Sequence, residues 1–462
     1  MQHIFRLFKR YGGYLNKCSI FIAINRFMQT ASKKIINAWA MYDWANSTYN
    51  LVITTTFFPI YFTAVTKHAF GTEQVPLLGK RFINSSLYDY TLAAAYFIIA
   101  LLYPILTSIA DTRGNKKNFM RFFCYMGAIG CSALYFFRGD NIWVGIIAFM
   151  MAAAGYVGSL VFYNAFLPEI ALPQDQDRVS ARGFSFGYVG SVIMQLIGFV
   201  LVVLLADDPN YLGPRITFLL VGIWWAGFAQ ITFARVPETK RDTAANGNAF
   251  TTGFRAVKKV YGEVRNMPVL KRYLRGFFFY SMGVQTVMLA ATLFGSKLLQ
   301  LADTKLIITV VIIQLVAIPG AVCMSRLSNV FGNLKVLMGV IIFWILICIA
   351  AYFTAYYKMR GGNPEYLFYA LSVAVGLVMG GIQSLSRSTY SKLMPETEDT
   401  ASFFSYYDLT EKIAIVIGMF AFGYIEELTG NMQNSVLSLI VFFAVGFIWL
   451  FSALKKQQSL SG

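Results

Sequence analysis

Twelve apolar stretches of about 20 residues recur along this chain of 462 residues, each long enough to cross roughly 30 Å of hydrocarbon as a helix. They cover residues 37–65, 86–110, 117–137, 141–167, 180–206, 214–235, 271–299, 303–325, 334–357, 364–390, 402–425 and 433–455. In lipid every backbone N–H and C=O must be satisfied within its own segment, so open runs of this length become α-helices. Composition agrees. Hydrophobic residues make up 57% and charged residues 13%, where soluble domains carry roughly 45–50% and 25%. The pattern predicts an all-α integral membrane protein with twelve transmembrane helices. It excludes a soluble enzyme and a disordered chain.

The net charge of +17 would suggest nucleic acid in a soluble protein. Here the basic residues lie in short segments between apolar runs, where they orient helices, so no nucleic-acid partner is expected. Of the 39 Lys and Arg, 29 fall in the first tail, the even-to-odd connections and the last tail, 9 fall in the opposite loops, and Lys412 lies within a span. With an even number of spans, that asymmetry puts both termini in the cytoplasm. The five cysteines are scattered without a CxxC, and the two histidines, His3 and His68, lie in a tail and a loop. No metal site, disulfide or cofactor is expected from them.

The longest basic insert, 236–270, separates two sets of six spans. The expected organisation is a cytoplasmic basic tail 1–36, a six-helix bundle 37–235, a cytoplasmic linker 236–270, a second bundle 271–456 and a tail 457–462. Within the linker, Phe254, Val257, Val260, Tyr261 and Val264 follow helical spacing between Lys258, Lys259 and Arg265. That predicts a helix lying on the membrane surface; a solvated charged linker is the alternative. The segment Ser19–Ile24 is too short to span and has no cleavage site behind it. It reads either as part of a juxtamembrane tail or as an extension ahead of a start at Met28. The two halves echo each other. Ser108-Ile-Ala-Asp-Thr-Arg-Gly-Asn-Lys follows span two, and Ser325-Arg-Leu-Ser-Asn-Val-Phe-Gly-Asn-Leu-Lys follows span eight, about 218 residues later. Leu167-Pro-Glu169 and Met394-Pro-Glu396 stand 227 residues apart. Repeated six-helix halves are a signature of secondary transporters.

Polar residues inside the spans carry the chemistry. Asp43, Asn46, Ser47, Asn50 and Thr54 fall on one face of span one. Lipid would not tolerate such a stripe, so it faces either a water-filled cavity or an interhelical hydrogen-bond seam. Asp408, Glu411 and Lys412 lie in span eleven, with Asp408 in reach of both others at i+3 and i+4. A carboxylate beside a lysine can carry a proton, bind a zwitterion or lock spans together. One acid is left over unless Arg182 or another cation reaches it. In span ten Gln383, Ser384 and Arg387 continue a polar face, as Ser281, Gln285, Thr292 and Ser296 do in span seven. Gly183 and Gly187 form a GxxxG that lets helices approach closely. Between spans two and three, Asp111, Arg113, Gly114 and Lys116 form a tight connection. Gly114 supplies the turn, Asp111 can sit at the positive end of another helix, and Arg113 and Lys116 can meet acids or lipid phosphates. Such a contact, made in one conformation only, would act as a gate.

The loop Ser108–Lys117 resembles the loop motif of the major facilitator superfamily. Its second copy has Asn329 where the first has its acid. Ala38-Trp-Ala-Met-Tyr-Asp-Trp-Ala-Asn-Ser47 is similar to the signature that opens the vacuole effluxer-like branch. Phe162-Tyr-Asn-Ala-Phe-Leu-Pro-Glu169, Val179-Ser-Ala-Arg-Gly183 and Tyr406-Tyr-Asp-Leu-Thr-Glu-Lys412 are similar to that branch as well. The resemblance runs from about Asn37 to Leu450. It implies twelve helices in two bundles and alternating access around a central cavity. The branch's yeast members are linked to moving amino acids out of the vacuole. The proline-bearing motif of many drug antiporters is missing, since Gly183–Gly198 contains no proline.

The expected function is secondary active transport of a small polar solute such as an amino acid, coupled to protons, by a monomer in the bacterial cytoplasmic membrane. Asp43, Asn46 and Asn50 would face the solute from the first half, and Asp408, Glu411 and Lys412 from the second. Partners are the solute, protons and the bilayer. Alternatives are a transporter-like sensor or scaffold, a multidrug or lipid efflux carrier, and a passive channel. A membrane-embedded enzyme lacks material, because the acid pair Asp175 and Asp177 sits beside Arg178 with no histidine.

Overall fold

The computed structural model describes residues 29–237, 249–430 and 432–461, with no side-chain description at Arg113, Phe254, Val257, Thr292 and a few others. The expectations for residues 1–28 and for the middle of the linker therefore lie outside the described residues.

The chain forms twelve transmembrane helices. The first span is composite: α1 (Lys33–Thr48) passes through a π-helical stretch (Tyr49–Phe57) into α2 (Phe58–Phe70). A short antiparallel hairpin, β1 (Gln74–Leu77) and β2 (Lys80–Ile83), leads into α3 (Asn84–Arg113). There follow α4 (Lys116–Ala133), α5 (Ile142–Ala165), α6 (Gln176–Leu204) and α7 (Leu212–Arg235). The linker carries α8 (Ala249–Asn266). The second six spans are α9 (Pro268–Leu293), α10 (Asp303–Phe331), α11 (Asn333–Met359), α12 (Glu365–Leu393), α13 (Thr400–Thr429) and α14 (Met432–Ser461). Starts and ends alternate, so the basic connections share one face of the bundle with the start of α1 and the end of α14; this is the basic face below.

Nine of the described helices are long and apolar enough to cross a membrane by length and composition alone. The other three spans are the first, seventh and eleventh, which hold the polar stripe of α1, Gln285 of α9 and the charges of α13. Polar and charged groups such as these turn toward the bundle interior rather than toward lipid. Elsewhere the apolar side chains point outward, as Phe97, Leu101, Val203 and Leu204 do.

Two details departed from expectation. α14 continues to Ser461 because nothing in Leu454–Ser461 breaks a helix. In α8 the buried edge is Val260 and Val264, packed with α3 and α13, while Tyr261 is 55% exposed. Tyr261 lies one residue, about 100° of helix, from Val260 and so leaves the edge that meets protein. That apolar edge is used on the bundle, and Lys259 adds an ion pair to Asp399 at 2.7 Å.

Close helix approach positions the site. α6 crosses α1 through Gly183, where an added Cβ would lie 2.6 Å from Asp43 Oδ2 and 2.9 Å from the Tyr163 hydroxyl. Only glycine lets these two helices meet with a carboxylate between them.

Candidate functional site

Asp43 on α1 is buried and accepts a hydrogen bond from the Tyr163 hydroxyl at 2.7 Å. Its counter-ion is Arg387 of α12, whose Nη1 lies 3.3 Å from Asp43 Oδ2. Arg387 is itself 3% exposed and is saturated by the first six spans. Its Nε donates to Ser180 Oγ at 2.9 Å, Nη2 to the Ser180 carbonyl at 2.9 Å, and Nη1 to Asn164 Oδ1 at 3.3 Å. Its guanidinium also lies over the Phe184 ring at 4.3 Å and the Trp39 ring at 4.9 Å. A buried charge needs this degree of satisfaction to persist in an apolar interior. The basic end of a span would by itself read as an orienting charge, so the sequence marked Arg387 only as part of a polar face.

Asn164 extends the network. Its Nδ2 donates to Asp408 Oδ1 at 3.4 Å. Asp408 is 4% exposed, its Oδ2 has no hydrogen-bond partner, and no cation lies within 4 Å of it among the described residues. The expected Asp408–Lys412 contact is not formed. Lys412 turns toward α3 instead, pairing with Glu411 at 3.0 Å and lying 5.5 Å above the Tyr96 ring. Arg182 does not reach the acids; it stacks over Phe186 at 5.8 Å. At 1.5 Å per residue, Asp43 and Asp408 lie about 12–15 Å inside the basic face.

Glu411 and Lys412 lie deeper and are less completely packed, with side chains 21% and 12% exposed. Gln285 of α9 donates to Glu411 at 3.1 Å. In the first span, Asn50 is half-buried, while Asn46 is fully buried with neither end of its amide bonded, and Thr54 Oγ1 has no partner either. Tyr188 and Gln383 join α6 to α12 at 2.9 Å. The network that joins the two halves runs from Asp43 of span one through Arg387 and Asn164 to Asp408 of span eleven.

Two bridges close the basic face above this region. Asp111, at the end of α3, caps α13. It accepts from Ala401 N at 3.2 Å, Ser402 N at 2.7 Å and Ser402 Oγ at 2.7 Å. Lys116 backs it at 3.2 Å, and also meets Glu169 at 2.5 Å and Thr400 Oγ1 at 2.5 Å. Gly114 makes the intervening turn with φ +64. The side chain of Arg113 lies outside the described residues. The second bridge is the counterpart of the first with the polarity exchanged. Where the second loop copy lacks its acid, Ser328 takes the facing position, and Asp177 of α6 supplies the carboxylate. Asp177 is fully buried and accepts from Ser328 Oγ at 2.6 Å, Asn333 Nδ2 at 2.7 Å and Lys392 Nζ at 2.6 Å. The sequence hid this bridge, because a repeat search looks for the acid in the same strand of the repeat.

Among described residues no group of three or more His, Cys, Asp or Glu could hold a metal ion. What the arrangement can do is exchange bonded partners across two halves and hold charge inside the bundle.

Comparison with known proteins is consistent with this architecture. The sequence matches the model of the vacuole effluxer Atg22-like family over residues 31–459. An uncharacterised MFS-type transporter of Bacillus subtilis, YxiO, is 30% identical over 420 residues, covering 90% of this chain and 93% of that one. Autophagy-related protein 22 of Eremothecium gossypii is 24% identical, covering 93% and 92%. Among solved structures, the human organic anion transporter MFSD10 aligns with a TM-score of 0.70 at 12% identity, over 91% of this chain and all of that one. The fucose:proton symporter FucP of E. coli aligns with a TM-score of 0.62 at 14% identity, over 91% and 97%. The chain is an MFS-type, multi-pass membrane transporter and belongs to the vacuole effluxer Atg22-like family.

Proposed function

We propose that the chain is a secondary active transporter that moves a small polar solute, an amino acid or a similar zwitterion, by alternating access coupled to protons. The observation that carries the proton assignment is Asp408. Asp43 has Arg387 and Glu411 has Lys412, but Asp408 has no cation within 4 Å among the described residues. A lone carboxylate in a span is costly and is relieved by a proton. The Glu411–Lys412 pair of the second half, with Asn46 and Asn50 of the first, offers complementary charge and hydrogen bonds to the two ends of a zwitterion. The Asp111 and Asp177 bridges then hold the basic face shut while the opposite face admits solute; by the charge asymmetry of the loops, the basic face is the cytoplasmic one, in a bacterial inner membrane. A structural neighbour named as a fucose:proton symporter and a family named for vacuolar efflux support the same reading, each for its own protein.

The test is uptake into proteoliposomes from a pool of the twenty amino acids under an imposed proton gradient, read by mass spectrometry with an ionophore control. Ionophore-sensitive enrichment of a few members is expected. Asp408→Asn is expected to abolish uphill accumulation while solute exchange persists. If Asp408→Asn and Glu411→Gln both accumulate solute like the parent, the proton assignment is wrong. If folded, inserted parent protein enriches nothing, proton-driven amino-acid transport is wrong.

A further inference from the structure

We propose that Asn164 is a relay by which protonation of Asp408 loosens the hold of Arg387 on the first six spans, an inference that rests on Asp408 as the proton site. The amide of Asn164 is 7% exposed and is used at both ends. Its oxygen accepts from Arg387 Nη1, and its nitrogen donates to Asp408 Oδ1. The three groups therefore form a polarised row: guanidinium donor, amide, carboxylate acceptor. One residue from the first half joins two residues on different helices of the second.

An ionised carboxylate only accepts, and a guanidinium only donates, so the amide between them can be oriented in one sense only. A proton on Asp408 removes that uniqueness. The carboxyl becomes a donor through Oδ2, the oxygen that has no partner. A buried donor needs an acceptor. The amide oxygen of Asn164 supplies one when the amide makes half a turn. Its NH2 then faces Arg387, donor against donor. Arg387 loses one of its acceptors on the first half and keeps Ser180 and Asp43. The grip across the two halves loosens without any charge crossing the interface.

The other groups around Asp408 are committed elsewhere. Glu411 and Lys412 share its helix and pair with each other. α12 presents Arg387 and Tyr390, α3 presents Tyr103, and α5 presents Asn164. α9 reaches Glu411 through Gln285, and α8 reaches only the start of α13 through Lys259 and Asp399. Tyr103 and Tyr390 already donate their hydroxyls to the carbonyls of Val157 and Phe403. Asn164 is thus the neighbour whose bonding can reverse.

The experiment measures closure of the basic face against pH. Spin labels at Asn118 and Lys335, exposed residues on the two halves, report the distance distribution by pulsed electron resonance in the full chain in nanodiscs. In the parent the closed population falls as pH falls, and loss of one charge-assisted bond shifts the closed-to-open ratio by about tenfold. Asn164→Leu removes that pH dependence, while infrared difference spectra still show the protonated-carboxyl band that Asp408→Asn abolishes. Asn164→Ala serves equally if the leucine variant does not purify as a single species. A parent whose ratio ignores pH overturns the relay. So does an Asn164 variant that titrates like the parent, with the proton site left standing. Loss of the carboxyl band in the Asn164 variants also overturns it, because Asn164 would then act on Asp408 alone. If Asp408→Asn itself titrates like the parent, the proton assignment fails first.

Discussion

Asp111→Asn removes one charge and changes almost no volume, so it isolates what the cap on α13 contributes. The carboxylate accepts from three donors at the first turn of α13, at 3.2, 2.7 and 2.7 Å. Hydrogen bonds to a charged acceptor are worth about 1.5–3 kcal/mol each, and a buried charge at a helix end up to about 2 kcal/mol. An asparagine keeps one neutral oxygen and turns an NH2 toward donors. Lys116 loses its contact at 3.2 Å and keeps Glu169 and Thr400. Water entering the opened face replaces part of what is lost, leaving a net of about 2–4 kcal/mol against the closed state. At tenfold per 1.4 kcal/mol, the closed-to-open ratio falls roughly 30- to 800-fold. The assay is the Asn118–Lys335 distance distribution, with Cys18 and Cys323 replaced by serine to keep labelling specific. An unchanged distribution would refute the reasoning, because a contact that fastens this face cannot be removed without a change in its population.

The exchanged bridge answers to the same assay. Asp177→Asn is expected to open the basic face by a similar factor, and because the two bridges share no side chain the double variant is expected to add within about 0.5 kcal/mol; a double variant no more open than either single one contradicts this. Gly183→Ala places a Cβ 2.6 Å from Asp43 Oδ2, and overpacking there is expected to destabilise the closed bundle by about 1–3 kcal/mol in a thermal-shift series. Gly227→Ala, with nothing within 4 Å, is the control expected to leave the midpoint unchanged. Lys259→Ala removes an exposed ion pair to Asp399 and is expected to change closure by less than about fivefold; a larger change would make α8 a principal fastening.

The helices were legible because lipid demands an unmistakable length of apolar chain, and the spans agree with the observed helices within a few residues at most ends. The stripe Asp43 to Thr54 was legible for the complementary reason: polar residues in register on one helix face have nowhere to go but inward. Partners were not legible. Asp408 and Lys412 stand four residues apart on one helix, a spacing that favours pairing, yet the ring of Tyr96 and the carboxylate of Glu411 draw the lysine to another neighbour. Arg387 carries no local signal that it will face Asp43, 344 residues away. The π-helical stretch at Tyr49–Phe57 leaves Thr55 and Thr56 bonded back to the Leu51 carbonyl, a local rearrangement that periodicity does not register.

The three fastenings of the basic face differ in what they can sense. Asp111 and Asp177 each hold a lysine and several donors directly, so their grip is built from partners that do not pass through an amide. Arg387 is different, because one of its acceptors is an amide whose other end lies on a carboxyl without a counter-ion. A change of pH can therefore enter the closed state through Arg387 and leave the two outer bridges as a fixed bias. The consequence separates level from slope. Asp111→Asn is expected to lower the closed-to-open ratio by the same factor at every pH, leaving parallel titration curves. Asp408→Asn is expected to flatten the curve. The double variant is expected to give a flat curve displaced by the Asp111 factor alone. A double variant that regains pH dependence, or an Asp111→Asn curve whose slope differs from the parent's, would mean that the outer bridge takes part in proton sensing, and the division of labour between bias and sensor would be wrong.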